Sequence, residues 1–271
     1  MYKQKYFYLH IPKTAGTTFN NFLKRAFSSK ECLFHIENKL DKLENKRVIG
    51  GHIILPKATK VIPNFEEYIK LTVFRNPLEQ VSSHLRFVKK LGESSEYKRL
   101  EGHSSSIKRI VSFLWSIDFS NVEDIKKLIN WLEENNYVLF HNTQIQYLIG
   151  SKFHVTEEEL IEAENIIEKI EYIGITERLD DYIKLLTYKL DLSTKLKSKN
   201  LNITVESYGL DITNPKIVDA LEPLICYDKV IYKYAKDKFE KEFNSILSST
   251  MKEQEVYGFL DRIVLKVKNI F

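Results

Sequence analysis

Tyr6-Phe7-Tyr8-Leu9-His10-Ile11-Pro12-Lys13-Thr14-Ala15-Gly16-Thr17-Thr18-Phe19 is the stretch that sets the fold. Its first four residues are strongly β-prone and run into a loop carrying Pro and Gly. Beyond it, Phe19, Phe22, Leu23, Ala26 and Phe27 recur at helical spacing on one face. The order is therefore strand, tight loop, helix. In such a unit the loop's backbone N–H groups and the helix N-terminus converge on one point, which favours an anion and above all a phosphate. Gly16 lets the backbone approach closely. Thr14, Thr17 and Thr18 bring hydroxyl donors, and Lys13 brings a mobile positive charge. Lys13, Thr14, Ala15, Gly16, Thr17 and Thr18 are the candidate anion-binding residues of this loop.

Working outward, a second unit of the same kind follows. Ile69 to Phe74 reads as a strand ending at Arg75-Asn76-Pro77, and Pro77 suits the first position of a helix. Leu78, Val81, Leu85 and Val88 give that helix an apolar stripe. Arg75 thus stands at the C-terminal end of a strand, the edge where open parallel sheets bind ligands. Between the two units, after a polar connection over residues 28–46, Arg47 to Leu55 reads as a short buried strand ending in a special turn. Its Gly50-Gly51-His52 suggests a sharp bend that leaves the imidazole facing a cleft.

Polar residues dominate positions 92–106, which predicts a mobile loop, either a lid over the site or plain surface. Helical periodicity returns at 107–117 and 122–134, and residues 137–150 predict a short helix closed by Gly150. Thr156 followed by Glu157, Glu158 and Glu159 starts another helix with its acids in the first turn. Tyr172 to Ile175 reads as a strand and Glu177 to Leu190 as a helix. Alternation of strands and helices predicts an α/β fold, a P-loop-like three-layer sandwich with a mainly parallel sheet flanked by helices. Residues 193–204 read as irregular and basic through Lys195, Lys197 and Lys199. Two or three helices close the fold between Pro215 and Leu247. No repeat or linker divides the chain, so one domain is expected, with a core over about 5–245 and a helical tail over about 250–271. That tail is amphipathic and basic. It reads as a docked terminal helix or as a peripheral contact with a membrane surface.

Composition narrows the possibilities. The 271 residues are 43% hydrophobic and 29% charged, ordinary for a globular protein, and the net charge of +4 is far too small to argue for a nucleic-acid binder. Cys32 and Cys226 are far apart and lack metal-ligand spacing, which points to reduced thiols. No apolar run approaches the length of about 18 residues that a membrane span needs. A start at Met1 and a Lys- and Ile-rich, Gly-poor composition favour a cytoplasmic protein of bacterial type.

The loop is not the common nucleoside-triphosphate loop, in which Lys follows the last Gly; here Lys13 precedes Gly16. The order Pro-Lys-Thr-Ala-Gly-Thr-Thr resembles the 5′-phosphosulfate loop of the sulfotransferase superfamily, and most of all its carbohydrate branch, which includes the heparan sulfate 2-O-sulfotransferases. That family carries a second signature, Arg-Asp-Pro with a Ser eight residues after the Arg, which holds the 3′-phosphate of the donor 3′-phosphoadenosine 5′-phosphosulfate. Arg75-Asn76-Pro77 and Ser83 stand at that spacing, with Asn76 in the Asp place and Gln80 where the branch often has Arg. Asn142-Thr143-Gln144 with Leu148 and Gly150, the run Tyr172 to Arg178, and Asp228, Tyr232 and Ala235 resemble further segments of the branch, with Gln146 in an Arg place.

The resemblance implies transfer of a sulfuryl group from that donor to a hydroxyl of a glycan or glycolipid, without a metal. It implies that His52 is the base and that Lys13 stabilises the leaving phosphate oxygen. Lys13 to Thr18, Arg75 and Ser83 would hold the donor. His10 reads as packing, while His84, His103 and His141 are candidates to line the cleft, in no order the sequence defines. The rivals are an ATP-dependent kinase of a small molecule, which lacks a recognisable magnesium carboxylate here, and a non-catalytic binder of nucleotide or polyanion.

Overall fold

The computed structural model describes residues 4–150, 153–192 and 208–268, with side chains to Ser248. Five parallel strands form one sheet: β1 (Lys5–Leu9), β2 (Cys32–Phe34), β3 (Val48–Gly51), β4 (Tyr68–Phe74) and β5 (Tyr172–Ile175). Their order is β2-β3-β1-β4-β5. Helices flank the sheet on both faces, which makes the molecule a three-layer α/β sandwich. β1 is the middle strand and is buried at four of its five residues, so it reads as a continuous apolar run rather than an alternating one. In register, Phe7 faces Ile49 of β3 and Lys70 of β4, and Leu9 faces Gly51 and Thr72.

The chain leaves β1 through α1 (Gly16–Phe27) towards β2 and β3 on one side. It then crosses to β4, on the other side of β1, and later to β5. Connections from β1 and β4 thus run in opposite directions, and the crevice between their carboxyl ends is the topological switch point where such sheets take ligands. The loops carrying Lys13 and Arg75 both open there.

Several expectations are met closely. α3 (Pro77–Lys90) begins at Pro77, α5 (Ser105–Trp115) and α6 (Val122–Glu134) lie where periodicity places them, and α7 (Thr143–Ile149) ends at Gly150, whose φ is 111°. α8 (Glu157–Lys169) starts with a full capping box, Thr156 and Glu159 each satisfying the other's backbone N–H. α9 (Leu179–Lys189) and α10 (Pro215–Leu221) follow.

Other features differ from the sequence reading. The sheet is parallel throughout. The connection over residues 28–46 contains the edge strand β2, three residues too short to show a pattern. β3 stops at Gly51, and Leu55 already begins α2 (Leu55–Val61). The 92–106 segment is not all loop, because a turn at Ser94–Glu96 leads into α4 (Tyr97–Glu101). The stretch expected as a separate tail continues α11 (Cys226–Lys268) without a break. Lys195, Lys197 and Lys199 lie outside the described residues. Among the described residues no helix is long and apolar enough to cross a membrane.

Two clusters of buried side chains hold the layers together. The larger joins the sheet to α1, α8, α9 and α11 through Tyr8, Phe19, Tyr182 and Phe239. Phe19 stacks on Tyr182 with ring centroids 5.3 Å apart. The second joins α3, α5, α6 and α10 through Leu85, Leu114, Leu128 and Leu221. α3 borders both and carries one wall of the crevice.

Candidate functional site

Two left-handed residues shape the first loop. Lys13 has φ 66° and Ala15 φ 61°, so the backbone doubles back before α1. Ala15 is the N-cap and offers no side-chain acceptor, so the first turn of α1 is left uncapped by its own side chain. Thr14 is buried, and its Oγ1 donates to the Ile11 carbonyl at 2.9 Å, which braces the loop from inside. Gly16 is required by packing. A Cβ there would lie 1.6 Å from His10 Nε2, so the imidazole occupies the space a side chain would need. That contact confirms the packing role of His10.

The second loop is stapled to the first. Arg75 Nη1 donates to the Lys13 carbonyl at 3.1 Å, and Gln80 Nε2 donates to the Pro12 carbonyl at 2.9 Å. The guanidinium also meets Glu79 Oε2 at 3.3 Å, a half-exposed pair worth at most about 1 kcal/mol and easily exchanged for a phosphate. Gln80, in the place where an Arg was the family expectation, therefore serves as a strut. Gln80, Ser83 and Phe87 fall at helical spacings of three and four on one face of α3. Gln80 bonds Pro12, and Phe87 lies under the Lys13 ammonium, whose Nζ is 4.3 Å from the ring centroid. Buried Ser83 sits between them on that face.

Positive charge accumulates around Lys13. Burial pulls the Lys13 ammonium down to about 8, and the cations Arg75, Arg99 and Arg86 add to the effect. Arg99 comes from α4, in the segment expected to be a loop, and its guanidinium lies 4.8 Å from the centroid of the same Phe87 ring. Arg86 is held from within α3 by Ser82 Oγ at 2.6 Å. Neither arginine belongs to a recognisable motif, and only the fold brings them to Lys13. Among the described residues Glu79 meets Arg75 and Glu96 meets Arg99, two acids beside four cations, an arrangement that an anion stabilises.

His52 stands on the opposite side of β1, directly after β3. Its Nδ1 is 2.9 Å from the His10 carbonyl oxygen. A carbonyl can only accept, so Nδ1 carries the proton and the neutral ring presents Nε2 as the acceptor. Burial lowers the His52 pKa, with Glu37 and the His10 carbonyl pulling upward and His35 and Lys13 downward. The ring is therefore neutral at pH 7. Its backbone N–H donates to Glu37 Oε2 at 3.0 Å. Gly51 makes room for that carboxylate, because a Cβ would lie 2.2 Å from Glu37 Oε2. Glu37 and His35 escaped the sequence reading because they flank a three-residue strand. His10 and His52 have ring centroids 4.0 Å apart.

The looser sequence matches form a support for the Arg75 turn. Gln144 grips the Arg75 backbone on both sides, accepting its N–H at 2.9 Å and donating to its carbonyl at 2.8 Å. Glu177 Oε1 accepts the Asn76 N–H at 2.9 Å, and its Oε2 accepts from the Tyr232 hydroxyl at 3.1 Å. Asn76 caps α3, its Oδ1 accepting from Leu78 at 3.1 Å, so it does the capping work that an Asp would do. Asn142 and Asp228 cap each other's helices. Asn142 Oδ1 takes the Tyr227 and Asp228 N–H groups, and Asp228 takes the Gln144 and Ile145 N–H groups at 3.0 and 2.8 Å.

Asp228 is fully buried, and burial pushes its carboxyl up to about 7 against the pull of those two donors. Removing it would orphan two buried N–H groups, at about 1–3 kcal/mol each. Asp228→Ala is expected to lower the melting temperature by several degrees in a thermal melt, with Asp228→Asn in between. A variant that melts with the parent would show the knot to be dispensable.

His141 borders this support rather than the Lys13 loop, with its Nδ1 3.1 Å from Asn142 Nδ2 and its Nε2 3.7 Å from Glu133. Among the described residues His103 shares no hydrogen bond, ion pair or ring contact with these residues, and its backbone N–H donates to the Leu100 carbonyl at 3.0 Å. Among the described residues no group of three or more His, Cys, Asp or Glu is arranged to hold a metal ion. Comparison with protein-family models and with curated proteins finds no match to the chain.

Proposed function

We propose that the chain is a sulfotransferase, taking a sulfuryl group from 3′-phosphoadenosine 5′-phosphosulfate to a hydroxyl of a glycan or glycolipid acceptor. The observation that supports this best is the joining of the Lys13 loop and the Arg75 turn, backbone carbonyl to guanidinium, beside an imidazole whose free nitrogen is an acceptor. The residues fit a doubly phosphorylated nucleotide. Lys13, Ala15, Gly16, Thr17 and Thr18 line the start of α1 and would hold a 5′-phosphosulfate. Arg75 and Ser83, on the adjoining turn and helix, would hold a 3′-phosphate. Thr14 stays inside as a brace.

When bound, that donor supplies a sulfuryl group joined to a phosphate leaving group. Lys13 places a positive charge where a leaving oxygen gains its negative one, and this kind of fixed electrostatic support is often the largest share of catalysis. His52 Nε2 accepts the proton that the acceptor's hydroxyl gives up as its oxygen attacks. Arg86 and Arg99, drawn towards Lys13, spread positive charge around the transferring group, as displacement at phosphorus or sulfur requires.

Binding tests this reading without knowledge of the acceptor. Adenosine 3′,5′-bisphosphate at a hundred times its Kd should raise stability by about 2.7 kcal/mol, visible as a shift of several degrees in a thermal melt. ATP with Mg²⁺ should shift it less. The reverse order would move the assignment to a kinase. A shift with the bisphosphate but no transfer from the sulfated donor to any of a panel of saccharides would leave a binding protein.

A further inference from the structure

α3 carries a histidine that neither the structural support nor the proposed chemistry has used. His84 follows Ser83, is 5% exposed, and packs edge-on against Phe140 with ring centroids 5.0 Å apart. Its Nδ1 is buried with no hydrogen-bond partner among the described residues. A buried polar atom without a partner costs free energy, so native proteins keep few of them, and those that persist often serve a ligand. Its surroundings narrow the choice. Burial holds the His84 pKa down to about 3, with the charges of Lys13 and His52 adding to the effect. The ring is therefore neutral at any working pH. It can donate a hydrogen bond from one nitrogen while adding no charge to a site already rich in cations.

We propose that His84 is a further substrate-contacting residue, a neutral imidazole whose ring N–H binds an oxygen of the group transferred between Lys13 and His52. This rests on the sulfotransferase reading. In that reading the reacting atoms lie between the residue that supports the leaving oxygen and the residue that takes the proton. His84 shares the α3 face of Gln80, which bonds Pro12, and of Phe87, which lies under the Lys13 ammonium, so it borders the same space. One nitrogen donates to the anion, and the orphaned state seen here ends when the ligand arrives.

The pair of variants that tests it is His84→Phe and His84→Gln. Phe keeps the ring and the contact with Phe140 and removes the stranded polar atom. His84→Phe is expected to melt a few degrees higher than the parent, bind adenosine 3′,5′-bisphosphate within about threefold of it, and lose turnover by about 10²-fold. His84→Gln, which restores a donor, should recover part of that loss. A second measurement does not need activity: the His84 ring ¹⁵N signals should shift when inorganic sulfate is added to the bisphosphate-bound protein. Higher stability with lost turnover is a signature that a packing role cannot give.

Unchanged turnover in His84→Phe, a fall in melting temperature that Gln repairs, or ring signals unmoved by sulfate would each overturn the proposal and assign the nitrogen to a buried water. Failure of the parent to bind the bisphosphate is a different result. It would overturn the nucleotide reading, while a sulfate-induced shift of the His84 signals would still uphold the anion contact.

Discussion

His52→Ala is expected to lose turnover by 10²–10⁴-fold while binding adenosine 3′,5′-bisphosphate as tightly as the parent. That range is the usual contribution of a positioned general base. The split follows from placement: the groups proposed to face phosphate sit on the β1–α1 loop, the Arg75 turn and α3, whereas His52 hangs from the end of β3. Its ring is tied to the His10 carbonyl and its backbone to Glu37, so deletion leaves the loop's own bonds in place. The pH profile supplies an independent check. In the proposed role His52 acts as the neutral ring, and burial holds its pKa below the ordinary value of 6.5. Activity should therefore stay level as pH falls to 6.5 and drop only below it. That acid limb should vanish in the variant. Full activity in His52→Ala, with the acid limb intact, would transfer the role of base to another group.

The second large effect belongs to Lys13. Lys13→Ala should lower turnover by about 10³-fold, the scale of other single cations that support phosphoryl-transfer transition states. It should also weaken bisphosphate binding by about 10–100-fold, as loss of a charge-assisted hydrogen bond does. Here the ammonium is the active form, and its pKa in the free protein is pulled down to about 8. kcat/KM should fall as pH rises through 8, because that parameter reports the free enzyme. An anion beside the ammonium raises its pKa, so the alkaline limb of kcat should lie higher than that of kcat/KM. Binding near pH 8 should accordingly take up a proton, measurable by calorimetry in buffers of different ionisation enthalpy. A Lys13→Ala protein that retains the alkaline limb near pH 8 would show that another group titrates there.

Much of this architecture was legible because it is local. A strand and a helix of opposite periodicity, joined by Pro, Lys, Thr and Gly, specify the β1–α1 unit within fifteen residues. Pro77 after Arg75 specifies the start of α3 in the same way. What escaped is what depends on distant residues meeting. Cys32–Phe34 is too short to carry a pattern, yet pairing with β3 makes it a strand and brings Glu37 and His35 to His52. Arg86 and Arg99 look like solvated charges on helices until packing against Phe87 turns Arg99 towards Lys13. The polarity of residues 92–106 indicates exposure correctly, but short helices can be polar all round, so α4 was hidden. His84 was visible as a histidine, and the lack of a partner for its Nδ1 among the described residues could be found only in three dimensions.

The Arg75 turn is encoded early but secured late. Its backbone is gripped by Gln144, its neighbour Asn76 by Glu177, and the helix bearing Gln144 by Asp228. A chain growing on the ribosome has all five strands of its sheet well before it has residue 228, and N-terminal parts generally begin to fold first. Affinity for nucleotide should therefore arrive at the end of synthesis. A product that terminates before Asp228 would carry the whole Lys13 loop and still be unable to close its hand on the ligand.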